Sequence, residues 1–298
     1  MVGMGQALSG VGNDGLAHKV LIAALALDRS ALPPEPVAIA RDLEAIGLNE
    51  YYAGRLDAAK PIIERALALR MQTEGAWGPS VSDNLNTLAS ISYEKGDTAS
   101  AEKYWRRNLA FDEKVLGRDH PDLAVTINNL ARVLIERRAF REARDMLDRA
   151  VSIITTEKGK SNEDLAYIYL NLGIAQQRLG QLGADETLQK ALAIATAHKH
   201  RTLGLVLGEM ADLRCAGPNP PSSTALLNRA ERAIVSDYDQ DDWRQSWIAD
   251  VRAGCLAAMG QSKAASTLFA QSGPKLFNRW KPSSMFASDA RTRRLRRI

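Results

Sequence analysis

Gly54-Arg55-Leu56-Asp57-Ala58-Ala59 recurs 42 residues later as Gly96-Asp97-Thr98-Ala99-Ser100-Ala101. At the next step of 42, Phe140-Arg141-Glu142-Ala143 fits, with Arg138 standing where the glycine stood. Ala59, Ala101 and Ala143 therefore share one register, and seven residues beyond them come Ala66, Asn108 and Ala150. A fourth copy opens at Gly180 and has lost one residue in its turn, so its alanines are Ala184 and Ala191. Upstream of the turns the register also holds, through Ile46-Gly47, Leu88-Ala89, Leu130-Ala131 and Leu172-Gly173. Small residues seven apart lie on one helix face, two turns apart, and let a neighbouring helix approach closely. The glycine supplies the sharp turn that a helix C-terminus favours. Each copy reads as two antiparallel helices, A and B. Such a pair cannot bury its apolar face alone, so copies must stack.

The linker Gly117-Arg118-Asp119-His120-Pro121-Asp122-Leu123-Ala124, followed by Asn128-Asn129-Leu130-Ala131, resembles the tetratricopeptide repeat in its 42-residue form, found in kinesin light chains and many bacterial proteins. The resemblance is clear over residues 37–200 and degenerate over 201–272. It implies an all-α chain, an α-solenoid with a right-handed superhelical path and a concave face lined mainly by A helices. About five or six stacked antiparallel helix pairs are expected, plus a leading half-repeat.

That half-repeat is found by stepping back 42 from Ala59 and Ala66 to Ala17 and Ala24, which predicts a B helix over residues 13–30 whose A helix is missing or partial. Its run Val20 to Leu27 is apolar all round and, at eight residues, too short to span a membrane. Either residues 1–11 cover it, or another copy does, which would give self-association through this end. A signal peptide is the competing reading, but Asp14 and a lone firmly basic Lys19 fit its basic start poorly. A cytoplasmic location is expected. Forwards, Thr202 to Arg214 reads as an A helix broken by Pro218, Pro220 and Pro221, with Ser223 to Val235 as its partner. Asp242 to Met259, the turn at Gly260, and Ala264 to Ala270 make a last irregular pair. The solenoid is thus expected over 1–272 and a basic tail over 273–298.

Helical spacing proposes the lining of the groove. In the A helix starting near Leu123, Ile127, Leu130 and Leu134 form the packed side, and Asn128, Asn129 and Arg132 point away from it. By the same spacing Asn86, Ser90 and Tyr93 line the preceding A helix, Asn171 and Arg178 the following one, and Tyr51 and Tyr52 sit near the end of the first. An asparagine amide donates and accepts at once, as the backbone of an extended peptide requires, and arginines add carboxylate recognition. The resemblance implies peptide contacts at the places matching Asn129 and Asn171. Thr87, rather than Asn86, fills the aligned place in the preceding copy. The competing reading has these asparagines bonding only neighbouring helix ends or water.

Composition bounds the rest. The hydrophobic fraction of 45% and charged fraction of 25% are those of a globular chain. From Gln271 onward eight basic residues face Asp289 alone, a net +7 within a chain of net +4, which leaves residues 1–270 at −3. Nucleic-acid binding by the body is disfavoured. Only the tail, Arg291-Thr292-Arg293-Arg294-Leu295-Arg296-Arg297, offers a surface for nucleic acid, anionic membrane or an acidic partner, unless it is simply solvated. Phe277, Trp280 and Phe286 are placed to cap the last pair, and Trp243 and Trp247 to sit in its core. Two cysteines, Cys215 and Cys255, about one repeat apart, make neither a disulfide framework nor a cysteine-rich zinc site. They read as buried small side chains on adjacent A helices, with a redox pair as the alternative. No metal or cofactor is expected. Gly10-Val11-Gly12-Asn13-Asp14-Gly15 has a dinucleotide-loop spacing but no preceding strand, and no phosphate loop or catalytic motif is present. The expected function is a non-enzymatic scaffold binding a peptide or protein segment in its concave groove. The alternatives are a sensor module for a separate protease or switch ATPase, and an adaptor working through the tail.

Overall fold

The computed structural model describes residues 1–217, 219–240, 242–279 and 285–295. Pro218, Trp280, Arg296 and Arg297, which figure in the sequence reading, lie outside them, as does the side chain of Phe286. Among the described residues there are fifteen α-helices and no strand. The helices fall into two compact units, Met1–His120 and Pro121–Ile298.

The first unit holds α1 (Val2–Gly10), α2 (Asp14–Ser30), α3 (Pro36–Tyr52), α4 (Leu56–Thr73), α5 (Pro79–Glu94) and α6 (Thr98–Leu116). The second holds α7 (Leu123–Glu136), α8 (Phe140–Glu157), α9 (Leu165–Arg178), α10 (Ala184–Ala197), α11 (Leu203–Cys215), α12 (Thr224–Asp237), α13 (Trp243–Ala258), α14 (Ser262–Arg279) and α15 (Met285–Leu295). Up to α14, odd helices are A and even helices B, and each A packs on the B that follows it.

The register read from the sequence is the register of the core. Ala17, Ala59, Ala101 and Ala143 are fully buried at the start of four successive B helices, and Ala265 holds the same place in α14. Four residues on, Leu21, Ile63, Trp105, Leu147 and Phe269, with Leu188 four beyond Ala184, are buried in six of the seven pairs. The facing A-helix position must be small. A Cβ built on Gly47 would stand 2.4 Å from Ile63 Cδ1, and one on Gly173 would stand 2.7 Å from Leu188 Cδ2. Where Asn108 replaces the second small residue, its Nδ2 donates to Asp112 Oδ2 at 3.0 Å, and the Ser82 hydroxyl donates to Asp112 Oδ1 at 2.7 Å. The buried polar substitution is thereby satisfied.

The turns repeat as strictly. Residues 12, 54, 96, 138 and 180, each 42 apart, all have positive φ. Four are glycine. Arg138 adopts φ 63° without glycine's freedom, because the packed helices on either side hold the turn.

Several expectations are adjusted. The leading half-repeat is a pair, since α1, a short nine-residue helix, lies on α2 and places Gly5 against Leu21. Residues 1–11 therefore cover one side of the apolar run, while Ile22 and Leu27 stay exposed. Helix α14 does not stop near Gly273 but continues through Pro274 to Arg279, with Leu276 buried. The basic segment beyond it is not a solvated tail over 285–295. It is helix α15, packed against α13, α14 and α7. Finally, Cys215 and Cys255, both buried on neighbouring A helices, are joined as a disulfide with a Cα–Cα distance of 5.1 Å. The two side chains are buried on adjacent A helices as expected, but they are bonded to each other rather than standing as independent thiols. No described helix is long and apolar enough to cross a membrane.

Candidate functional site

In the first unit the proposed lining residues divide into two groups. Tyr51 and Tyr52 end α3 with ring centroids 5.4 Å apart. Tyr51 donates its hydroxyl to Glu94 Oε1 of α5 at 2.9 Å, and Tyr52 is 72% exposed. Those two rings thus give the end of α3 an aromatic surface. Asn86 and Tyr93 on α5 turn towards the B helix. Asn86 Oδ1 accepts from Trp105 Nε1 at 2.9 Å, and the buried Tyr93 ring lies 6.0 Å from the same indole. Trp105 is fully buried and needs an acceptor for its only donor, which Asn86 supplies. Ser90, one turn beyond Asn86, is half-buried.

In the second unit Asn171 on α9 donates its amide to Asn128 Oδ1 on α7 at 2.8 Å. The pair ties adjacent A helices together. Asn129 and Arg132 on α7 are half-buried beside it. Arg178, at the end of α9, is ion-paired with Asp289 of α15.

Sequence reading missed the acids that follow. Asn129 and Asn171 are each the seventh residue of their helices, and in α11 that place is Glu209. Glu209 is buried, and Oε2 accepts no hydrogen bond among the described residues. Burial pushes its carboxyl up to about 7, Arg178 pulls it down, and the neighbouring Asp212 and Asp289 push it up. One turn on, Asp212 Oδ2 accepts from Arg293 Nη1 at 2.9 Å. On α13 the fully buried Asp250 accepts from Arg293 Nε at 3.0 Å and from the Ser272 hydroxyl at 3.2 Å, and Arg294 Nη2 lies 2.7 Å from its other side. Burial raises the Asp250 carboxyl, against the pull of Arg293 and Arg294. Burial likewise works against the Arg293 charge, but Asp212, Asp250 and Asp289 outweigh it and hold the guanidinium above its ordinary value.

Helix α15 thus reaches four A helices of this unit. It packs on α7 and α13, and side-chain ion pairs join it to α9 and α11. Two of the five tail arginines, Arg293 and Arg294, are spent inside the fold. Arg291 lies 6.0 Å from the ring centroid of Phe277. Among the described residues no cluster of His, Cys, Asp and Glu has a metal-binding arrangement.

Residues 80–156 match the tetratricopeptide repeat family model. Among solved structures, the chain is similar to the kinesin light chain TPR-like repeats of Podosopora anserina at 20% identity. That match covers 66% of this chain and 94% of that one, with a TM-score of 0.57. It is also similar to the apo form of RapI at 14% identity, over 90% of this chain and 72% of that one, TM-score 0.67. A Rap protein complexed with competence and sporulation factor matches at 14% identity over 88% and 76%, TM-score 0.60. At these identities the likeness is one of fold. No curated protein sequence matches the chain.

Proposed function

From the premise that this is a tetratricopeptide-repeat protein, we propose that it is a non-enzymatic interaction scaffold whose A-helix faces receive a peptide or protein segment. The observation that carries the reading is the asparagine group of α7 and α9. Asn128 and Asn171 bond each other and so hold the two helices in fixed relation. Asn129, half-buried next to them, keeps an amide with both donor and acceptor character at the edge of that pair. An extended segment laid across α7 and α9 meets that amide with its own backbone groups, while Arg132 supplies charge for a carboxylate. In the first unit Tyr51 and Tyr52 offer an aromatic surface that ends in hydroxyls. A Rap protein of the same fold was solved in complex with competence and sporulation factor, which supports partner binding as a use of such helix pairs. An adaptor role through free cations of the tail is weakened by the burial of Arg293.

The test is affinity capture with quantitative mass spectrometry, comparing the wild type with an Asn129→Ala variant and an Asn129→Ala/Asn171→Ala double variant. Capture is expected to fall at least tenfold at unchanged helicity by circular dichroism. Full capture by both folded variants would remove the asparagine face from the proposal.

A further inference from the structure

Among the described helices, α15 is the one that belongs to no A–B pair. Its described side chains, residues 289–294, meet the unit chiefly through charge: Asp289 on Arg178, Arg293 on Asp212 and Asp250, and Arg294 on Asp250. Ala290 is the fully buried apolar contact among them.

The receiving side is shaped for the guanidinium. A Cβ built on Gly254 of α13 would stand 2.9 Å from Arg293 Cδ and 3.1 Å from Cγ, so only glycine leaves the channel open for that stem. Gly273 of α14 lies beside Arg294, whose Nη2 is 3.0 Å from the built Cβ. Asp250 is held by Ser272, and Arg294 Nη2 donates to the Phe269 carbonyl at 3.1 Å. The Arg294 guanidinium carbon also lies 4.9 Å from the Phe269 ring centroid and 4.8 Å from that of Phe277. The inserted arginines thus meet both carboxylates and aromatic faces.

We propose that Asp212, Asp250 and Ser272, opened by Gly254, form a socket for an arginine-bearing helical segment, and that α15 fills this socket in cis, so that an external segment of that chemistry binds only by displacing it. The proposal rests on the reading of A-helix faces as receptive surfaces and names both the ligand chemistry and the control of one of them. Two physical facts favour exchange over permanent closure. Buried ion pairs stabilise little in net terms, since desolvation offsets their attraction, so α15 is held less firmly than an apolar helix pair. An emptied socket leaves Asp212 and Asp250 without the arginines that neutralise them, so it favours another cation of the same shape.

The probe is a fluorescent synthetic peptide with the sequence of residues 285–298, added to the full chain. The Arg293→Ala protein is expected to bind it at least tenfold more tightly than the wild type does. A peptide with alanine in place of Arg293 should bind neither protein, and Asp250→Asn in the Arg293→Ala background should abolish capture. Equal binding by wild type and variant, or binding indifferent to Asp250→Asn, would overturn the proposal. Should Arg293→Ala not fold, the wild type carries the test alone. Saturating unlabelled peptide must then speed amide hydrogen exchange of residues 289–294 in 15N-labelled protein, and no change at millimolar peptide rejects displacement. The asparagine variants report separately. A chain that fails here keeps the asparagine reading, and one that binds peptide while capturing no partner loses only that reading.

Discussion

Arg138 shows how much a single residue tolerates when its neighbours are fixed. The turn requires a left-handed backbone, which costs a non-glycine residue about 1 kcal/mol. Arg138→Gly should therefore change stability by no more than about 0.5 kcal/mol, read from the guanidinium midpoint, the relief of the turn being offset by glycine's freedom in the unfolded chain and the lost attraction to Asp289. Glu209 gives the pH-dependent counterpart. Its native carboxyl titrates at about 7 against 4.5 in its unperturbed state, so the native chain binds that proton more tightly. Its contribution is full below about pH 4.5 and is lost as pH rises through about 7. Glu209→Gln should thus stabilise the protein by up to about 3 kcal/mol at pH 8 and by little at pH 4, measured by denaturant unfolding at both. Arg138 is visible in the sequence as a break in a glycine series. Glu209 is hidden there, because its meaning depends on burial and on Arg178, Asp289 and Arg293, which no local pattern brings together.

Among the elements, the pairs are legible because each rests on small residues at fixed spacing. Gly173→Ala should test that close approach. Its new Cβ meets Leu188 on the facing helix, and the expected loss is about 1–3 kcal/mol, partly restored by Leu188→Ala in a double-mutant cycle. What the sequence does not reveal are the elements outside the repeat. Helix α14 runs past Pro274 because Leu276 has a buried place to go, which outweighs one lost backbone hydrogen bond. Helix α15 looks like a solvated charge run in the sequence, since its partners Asp212 and Asp250 lie 81 and 43 residues away. The lining residues are legible by helix face but not by role: the register separates Asn86 from Asn129 by one place, but it does not show that Asn86 is engaged with a buried indole.

For the molecule as a whole, the two units differ in what holds them. The first relies on stacked pairs and on local networks such as Arg70 with Glu44 across α4 and α3. The second adds a covalent tie, the Cys215–Cys255 bond, and the α15 ion pairs, which join residues as far as 111 apart. The disulfide closes a separation of 40 residues, so reduction should cost about 4 kcal/mol, read as a lower guanidinium midpoint in dithiothreitol. Thiol titration of denatured, unreduced protein should find no free thiol, where two independent cysteines would give two. The α15 ties also set a timetable for synthesis. Arg178 leaves the ribosome 111 residues before Asp289, and Asp212 leaves it 81 residues before Arg293. Asp250 follows Asp212 and precedes Arg293 by 43 residues, so at about 5–20 residues per second the nascent second unit spends roughly 2–9 s with both acids made and Arg293 not yet made. During that interval the first unit can finish folding, while the second awaits the arginines that neutralise it.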